Sequence, residues 1–166
     1  MNNTSTSQTN NILKKRIIGR SDKIDFPMLK LKEIDVKIDT GAYTSSIHCV
    51  NFEKKKLKGK IVLKCNFLDP EHSLYHGKEF VFEEFSTTTV KSSNGVAEER
   101  YKIKTEIKIF GKKYPILLTL AERTDMRFPV LLGRNFLKKK FIVDVSRTCL
   151  SYKRKKRILL KKHITK

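Results

Sequence analysis

From Leu31 to Ile38 the chain alternates between two characters. Ile34, Val36 and Ile38 fall on one side, and Glu33, Asp35 and Lys37 on the other. A period of two marks a strand with one face buried. The rhythm returns at residues 61–67, 101–109 and 114–120, with shorter apolar runs at Phe80, Val81, Phe82 and at Val130, Leu131, Leu132. Lys54-Lys55-Lys56 and Gly59 read as a loop, and turn-forming residues break the rhythm again at Asp69-Pro70, Asn94-Gly95 and Phe110-Gly111. Asn-Gly suits the primed turns that match the twist of paired strands. Short strands at intervals of about ten residues restrict the chain to an all-β barrel or sandwich. One short helix is predicted late, over Gly133 to Lys138, where Asn135, Phe136 and Leu137 follow the glycine and no breaker interrupts them. Phe141 to Val145 and Cys149 to Tyr152 complete the predicted strands.

The alternating run ends on Asp39, Thr40 and Gly41. A glycine here lets the backbone turn where a side chain would clash, so a carboxylate stands at the tip of a rigid strand. A lone aspartate, with its ordinary pKa of about 3.9, is a poor base at neutral pH. Two carboxylates about 3 Å apart cannot both ionise, and they share a proton; one then activates water while the other protonates a carbonyl oxygen. No second Asp-Thr-Gly or Asp-Ser-Gly occurs, and Asp144 is followed by Val145 and Ser146. The chain therefore carries half of a dyad, and a homodimer would supply the second aspartate across a two-fold axis. Turns of this kind at strand ends also serve purely structural ends.

The 166 residues suit one domain, residues 12–152, behind a polar tail at residues 1–11 predicted to be disordered and before a basic tail at residues 153–166. Lysine and arginine number 37 against 17 acids, a net charge of +20. That balance predicts attraction to nucleic acid, ribosome or an anionic membrane, or else a self-repelling, solvated surface, and the basic tail is either solvated or docks on RNA, ribosome or an acidic partner. No aromatic residues interleave the basic run, which argues against specific base reading. Three cysteines without a Cys-x-x-Cys pair do not make a disulfide scaffold. The first residues lack the apolar core of a secretory signal, and no run is apolar enough to span a membrane, so a cytoplasmic protein is expected.

Metal and nucleotide chemistry find little support in the spacing. His48, Cys49, Cys65, His72 and His76 are the candidate zinc ligands, but no His-Glu-x-x-His occurs, and Pro70 and Gly77 leave little room for a helix that would bring His72 and His76 together. His48 is expected to brace the acid-tipped loop instead. No phosphate-cradling Gly-rich Lys-Ser/Thr loop is present. No cofactor is expected.

Asp39-Thr40-Gly41-Ala42, followed far downstream by Leu131-Leu132-Gly133-Arg134-Asn135, resembles the retropepsin-like aspartic proteases. Five longer strings in order narrow the resemblance: residues 39–48, 91–95, 99–101, 127–134 and 143–147. Together they look like the family of ATP-dependent zinc proteases associated with RimK-type glutamate ligases. The resemblance implies a single-lobe, pepsin/retropepsin-like closed β-barrel with one short C-terminal helix. It implies Asp39 as the catalytic acid within Asp39, Thr40 and Gly41, and Thr40 as a grip between two copies. Ser92, Ser93, Asn94 and Gly95 would form a substrate-covering flap, and Leu132, Gly133, Arg134 and Asn135 a brace behind the active loop. One position departs from the pattern: Tyr43 stands where retropepsins commonly carry an aspartate that pairs with the junction arginine. Arg134 must then find a carbonyl or another acid.

The resulting expectation is an aspartic-type endopeptidase acting on a peptide or protein, with glutamate-tailed or ribosomal proteins as substrates and a glutamate ligase or ribosomal component as partner. The other class consistent with the sequence is a non-enzymatic basic β-barrel that binds a ribosomal, RNA or acidic protein partner.

Overall fold

A computed structural model describes residues 15–91, 95–124 and 126–164. Eleven strands and two helices follow in order among them. β1 (Arg16–Gly19), β2 (Ser21–Phe26) and β3 (Leu31–Ile38) lead to the Asp39 turn. β4 (Ser45–Leu57) and β5 (Lys60–Phe67) form a long hairpin, with β6 (Glu79–Phe82) beside β5. β7 (Ser86–Lys91), β8 (Ala97–Ile109) and β9 (Lys112–Ala121) make an antiparallel meander. β10 (Val130–Leu132), α1 (Arg134–Leu137), β11 (Phe141–Asp144) and α2 (Leu150–Ile164) complete the chain. The all-β expectation holds.

The main sheet runs β10-β3-β2-β8-β9-β4-β5-β6, and β10 also pairs with β4. That second pairing closes β10, β3, β2, β8, β9 and β4 into a ring. β10 lies parallel to β3, with Leu132 opposite Ile38, and antiparallel to β4, with Val130 opposite Ile47. A three-residue strand can be wedged there because it is apolar on both faces, with Val130 and Leu132 wholly buried. The inward residues predicted by alternation, Ile34, Val36, Ile103, Ile107 and Leu118, form one core with Phe26, Phe67 and Leu132. β1 and β11 form a separate two-stranded parallel pair.

Two local readings change. Lys54, Lys55 and Lys56, read as loop, belong to β4, and the turn is only Lys58 and Gly59, both at positive φ (47° and 82°). Their exposed lysines decorate a hairpin arm rather than interrupt it. The C-terminal end differs more. Cys149 to Tyr152 was expected as a strand and residues 153–166 as a tail; instead residues 150–164 are helical. Asp22, buried on β2, explains the anchorage. Its carboxylate accepts hydrogen bonds from the backbone N–H of Ser151 (2.8 Å) and Tyr152 (3.0 Å), which are first-turn donors of α2 with no partner inside the helix. Ser151 Oγ accepts from Phe110 N at 2.7 Å, and Lys155 pairs with Asp25 (3.0 Å) and Glu33 (3.2 Å). Burial pushes the Asp22 carboxyl above the ordinary range, against the pull of three backbone N–H donors.

Candidate functional site

β3 and β10 run side by side and end together, and this places the site. Asp39 N donates to Leu132 O (2.9 Å), so the acid-tipped turn leaves the sheet where the junction begins. The loop then folds onto α1. Arg134 N donates to Ala42 O (2.8 Å), Asn135 N to Tyr43 O (3.0 Å), and Gly133 N to Ser45 Oγ (3.0 Å). A Cβ at Gly133 would stand 2.5 Å from Thr44 O, so only glycine permits this approach. Leu132, Gly133, Arg134 and Asn135 therefore lie where the brace was expected.

Arg134 resolves the departure at Tyr43. Its Nη1 donates to the carbonyl oxygens of Thr40 (2.9 Å) and Gly41 (2.7 Å), so main-chain acceptors stand in for the missing carboxylate. Tyr43 points outward, with Lys138 Nζ 5.9 Å from its ring centroid. Thr40 is exposed. Among the described residues its hydroxyl makes no hydrogen bond, and its carbonyl is what fixes the loop.

Asp39 Oδ1 accepts from Gly41 N (3.0 Å) and Ala42 N (3.2 Å). Oδ2 faces Lys37 Nζ at 3.6 Å and an open cleft of about 810 Å³. Asp39 is the single acid among the described lining residues. Lys37, Lys91, Arg100, Arg123 and Arg127 supply the other charges. Arg123 is half-buried, and burial lowers its pKa, with Arg100 adding to the effect and Asp39 opposing it. The cleft can thus hold and order an anionic chain beside one carboxylate. Proton-sharing chemistry needs a second carboxylate facing Asp39.

The cleft arginines were missed in the sequence. Their signal was available in hindsight: Arg123 and Arg127 flank the approach to Pro129, four residues apart. Of the expected flap, Ser92, Ser93 and Asn94 lie outside the described residues. Gly95 has a positive φ of 78°, and Lys91 pairs with Ala97 across the β7–β8 hairpin. Val90 and Lys91 reach the cleft from that hairpin.

The zinc candidates do not fit a metal. His48 Nδ1 accepts from Arg123 N at 2.7 Å, and Nε2 faces Asp69 Oδ2 at 3.2 Å, off the hydrogen-bond axis. His48 therefore braces Arg123, and its backbone N–H donates to Pro129 O (2.7 Å), rather than bracing the Asp39 loop. Cys49 and Cys65 are buried side by side; Cys65 and desolvation push the Cys49 thiol up. His72 Nδ1 and His76 Nδ1 accept from Leu74 N and Lys78 N. Among the described residues no group of three His, Cys, Asp or Glu could hold a metal ion, and no helix is long and apolar enough to cross a membrane.

Comparison with known proteins gives the chain's relatives. A family model, RimB-like, described as retropepsin-like aspartic endopeptidase RimB, matches residues 17–154. A protein of Shewanella pealeana named "Probable alpha-L-glutamate ligase" is 34% identical over 144 residues, 84% of this chain and 31% of its own length. A protein of the same name from Desulfotalea psychrophila is 32% identical over 139 residues, 81% of this chain and 29% of its own. The chain thus spans about a third of the curated relatives it matches. The crystal structure of Lpg0085, a Legionella pneumophila protein of unknown function, superposes with a TM-score of 0.62 at 25% identity, covering 82% of this chain and 98% of that one.

Proposed function

The chain belongs to the RimB-like family of retropepsin-like aspartic endopeptidases, and from that premise we propose that it hydrolyses peptide bonds in acidic, glutamate-rich segments. The carrying observation is the cleft: one aspartate in its lining, held by Gly41 N and Ala42 N, with five cationic residues and no other described acid. Low-dielectric walls lined with one sign of charge concentrate ligands of the other sign. The relatives' name describes ligases that add glutamate, and a chain similar to part of them is well matched to the glutamate extensions such an activity makes. A glutamate ligase, or the ribosomal protein it extends, is the partner we propose on that ground.

In the mechanism, Asp39 of two copies share a proton across a two-fold axis. The ionised one takes a proton from water as the oxygen attacks the peptide carbonyl carbon. The protonated one donates to the carbonyl oxygen. Collapse of the tetrahedral carbon breaks the C–N bond, and the amine leaves with a proton returned by the dyad. Thr40, which is exposed, would grip the second copy. No metal or nucleotide takes part in these steps.

The test incubates purified full chain with a glutamate-tailed peptide and a neutral casein-derived peptide, with Asp39→Asn alongside. Mass spectrometry should show shortened acidic tails, and the variant should lose about 100-fold or more of the rate. Equal cleavage by Asp39→Asn removes the assignment, and loss of activity with EDTA indicates a metallopeptidase instead. A strict monomer in sedimentation that binds the acidic peptide without cleaving it identifies a binding module.

A further inference from the structure

A second groove, of about 360 Å³, lies on the other side of the active loop. Its walls include Tyr43 and Thr44 from that loop, Thr88 from β7, Lys102 and Lys104 from β8, and Lys140 after α1. Pro115 and the exposed Leu117 of β9 give it an apolar floor. Thr44 lines both the groove and the Asp39 cleft. β7 and β8 also join the two. On the shared face of that hairpin, Val90 and Arg100 reach the cleft, while Thr88 and Lys102 reach the groove.

Charge along this face of β8 is unevenly matched. Arg100 is paired with Glu98 at 2.6 Å, and Glu106 with Lys113 at 3.1 Å. Between them, Lys102 and Lys104 have no carboxylate partner among the described residues. Lys140 Nζ, at the far wall, is tied to Phe136 O (3.0 Å). Two residues on one face of a strand stand about 6.8 Å apart, twice the rise per residue. An extended peptide laid over this face of β8, along the strand, repeats with the same spacing, so every second side chain of an oligo-glutamate falls opposite a lysine. The methylenes of each glutamate would cover Leu117 and Pro115.

We propose that this groove is an exosite for the continuing acidic chain, in which Lys102 and Lys104 take alternate carboxylates of a substrate whose scissile bond lies at Asp39. The proposal rests on the reading of the cleft as an acidic-peptide site and adds a length requirement to it. A chain confined to the cleft gains nothing from the groove, and a longer one gains two exposed ion pairs.

The experiment compares diglutamate- and octaglutamate-tailed peptides on wild type, Lys102→Ala/Lys104→Ala, and a control pair of exposed lysines on the β4–β5 hairpin arm, Lys55→Ala/Lys56→Ala. In the wild type KM should be lower for the long tail by about tenfold, with kcat alike. The Lys102/Lys104 variant should lose that advantage and keep its kinetics on the short tail, while the control pair keeps both. Equal loss in the control pair would reduce the effect to general charge attraction and overturn the exosite, as would an unchanged length preference in Lys102→Ala/Lys104→Ala. Binding of octaglutamate to Asp39→Asn, with and without the lysine pair, separates the two readings. If the wild type cleaves nothing yet octaglutamate binding still depends on Lys102 and Lys104, the exosite stands and the peptidase assignment fails.

Discussion

The guanidinium of Arg134 donates to the carbonyl oxygen of Gly41 at 2.7 Å, so the first residue of α1 holds the turn that carries Asp39. Thr40 O shares the same nitrogen at 2.9 Å. A charged donor meeting two acceptors contributes about 1.5–3 kcal/mol. Arg134→Met keeps much of the side chain's length and removes the donors. Urea unfolding should show a loss of about that size. On the proposed activity, the cleavage rate should fall about 100-fold, because a misplacement near 1 Å is enough for that. A variant that loses rate without any loss of stability would give Arg134 a direct part in the reaction instead.

Gly133 sets how closely the junction approaches the loop. The nearest atoms to a Cβ there are backbone, Thr44 O at 2.5 Å and Thr44 C at 2.6 Å, which cannot swing aside as a side chain would. Gly133→Ala should cost about 1–3 kcal/mol and displace residues 42–45. Alanine at Gly111, where the added carbon meets nothing within 4 Å but φ is 77°, should act through the turn alone and leave cleavage kinetics intact. Chemical denaturation and steady-state kinetics on both variants make the comparison.

What could be read in the sequence follows the range of the forces involved. Alternation at Ile34, Val36 and Ile38 reports burial directly, so β3, β8 and β9 were visible. The Asp39 loop and the Leu132 to Asn135 junction were visible because their backbone contacts demand particular residue types, glycine above all. Helix α2 was hidden because its stabilisation is not local. Asp22, Asp25 and Glu33 lie more than a hundred residues away and hold Ser151, Tyr152 and Lys155, while the helix's own sequence reads as a charge run. The cleft arginines were hidden for the same reason: β8 and the segment before Pro129 meet only after the ring closes.

The cap on α2 makes its docking sensitive to pH. Asp22 has a pKa raised above the ordinary 3.8 by burial. The folded state thus binds the proton more tightly than the unfolded one. The stability from that linkage is complete below 3.8 and is lost as pH rises through the folded value. Asp22→Asn cannot titrate. The melting temperature of the wild type relative to Asp22→Asn should therefore rise as pH falls from 7 toward 4, even though other acids lose their ion pairs in both proteins. A difference that is flat with pH, or that shrinks on acidification, would show that Asp22 stays ionised in the fold.

Arg123 gives the sharpest test of how the cleft selects its ligand. Its backbone N–H holds His48, while its side chain, half-buried and bonded to Phe128 O (3.4 Å), shares the cleft with Asp39. Arg123→Gln keeps the backbone bond and removes one charge. For a glutamate-rich peptide KM should rise about tenfold, the value of one partly buried charge pair. For a neutral peptide it should not move. Salt should separate the contributions further, because the Debye length falls from about 10 Å at 0.1 M to about 3 Å at 1 M. The wild type should lose its preference for acidic over neutral peptides across that range, and Arg123→Gln should begin with less to lose. If the preference survives high salt in both proteins, the cleft reads its substrate by shape rather than by charge.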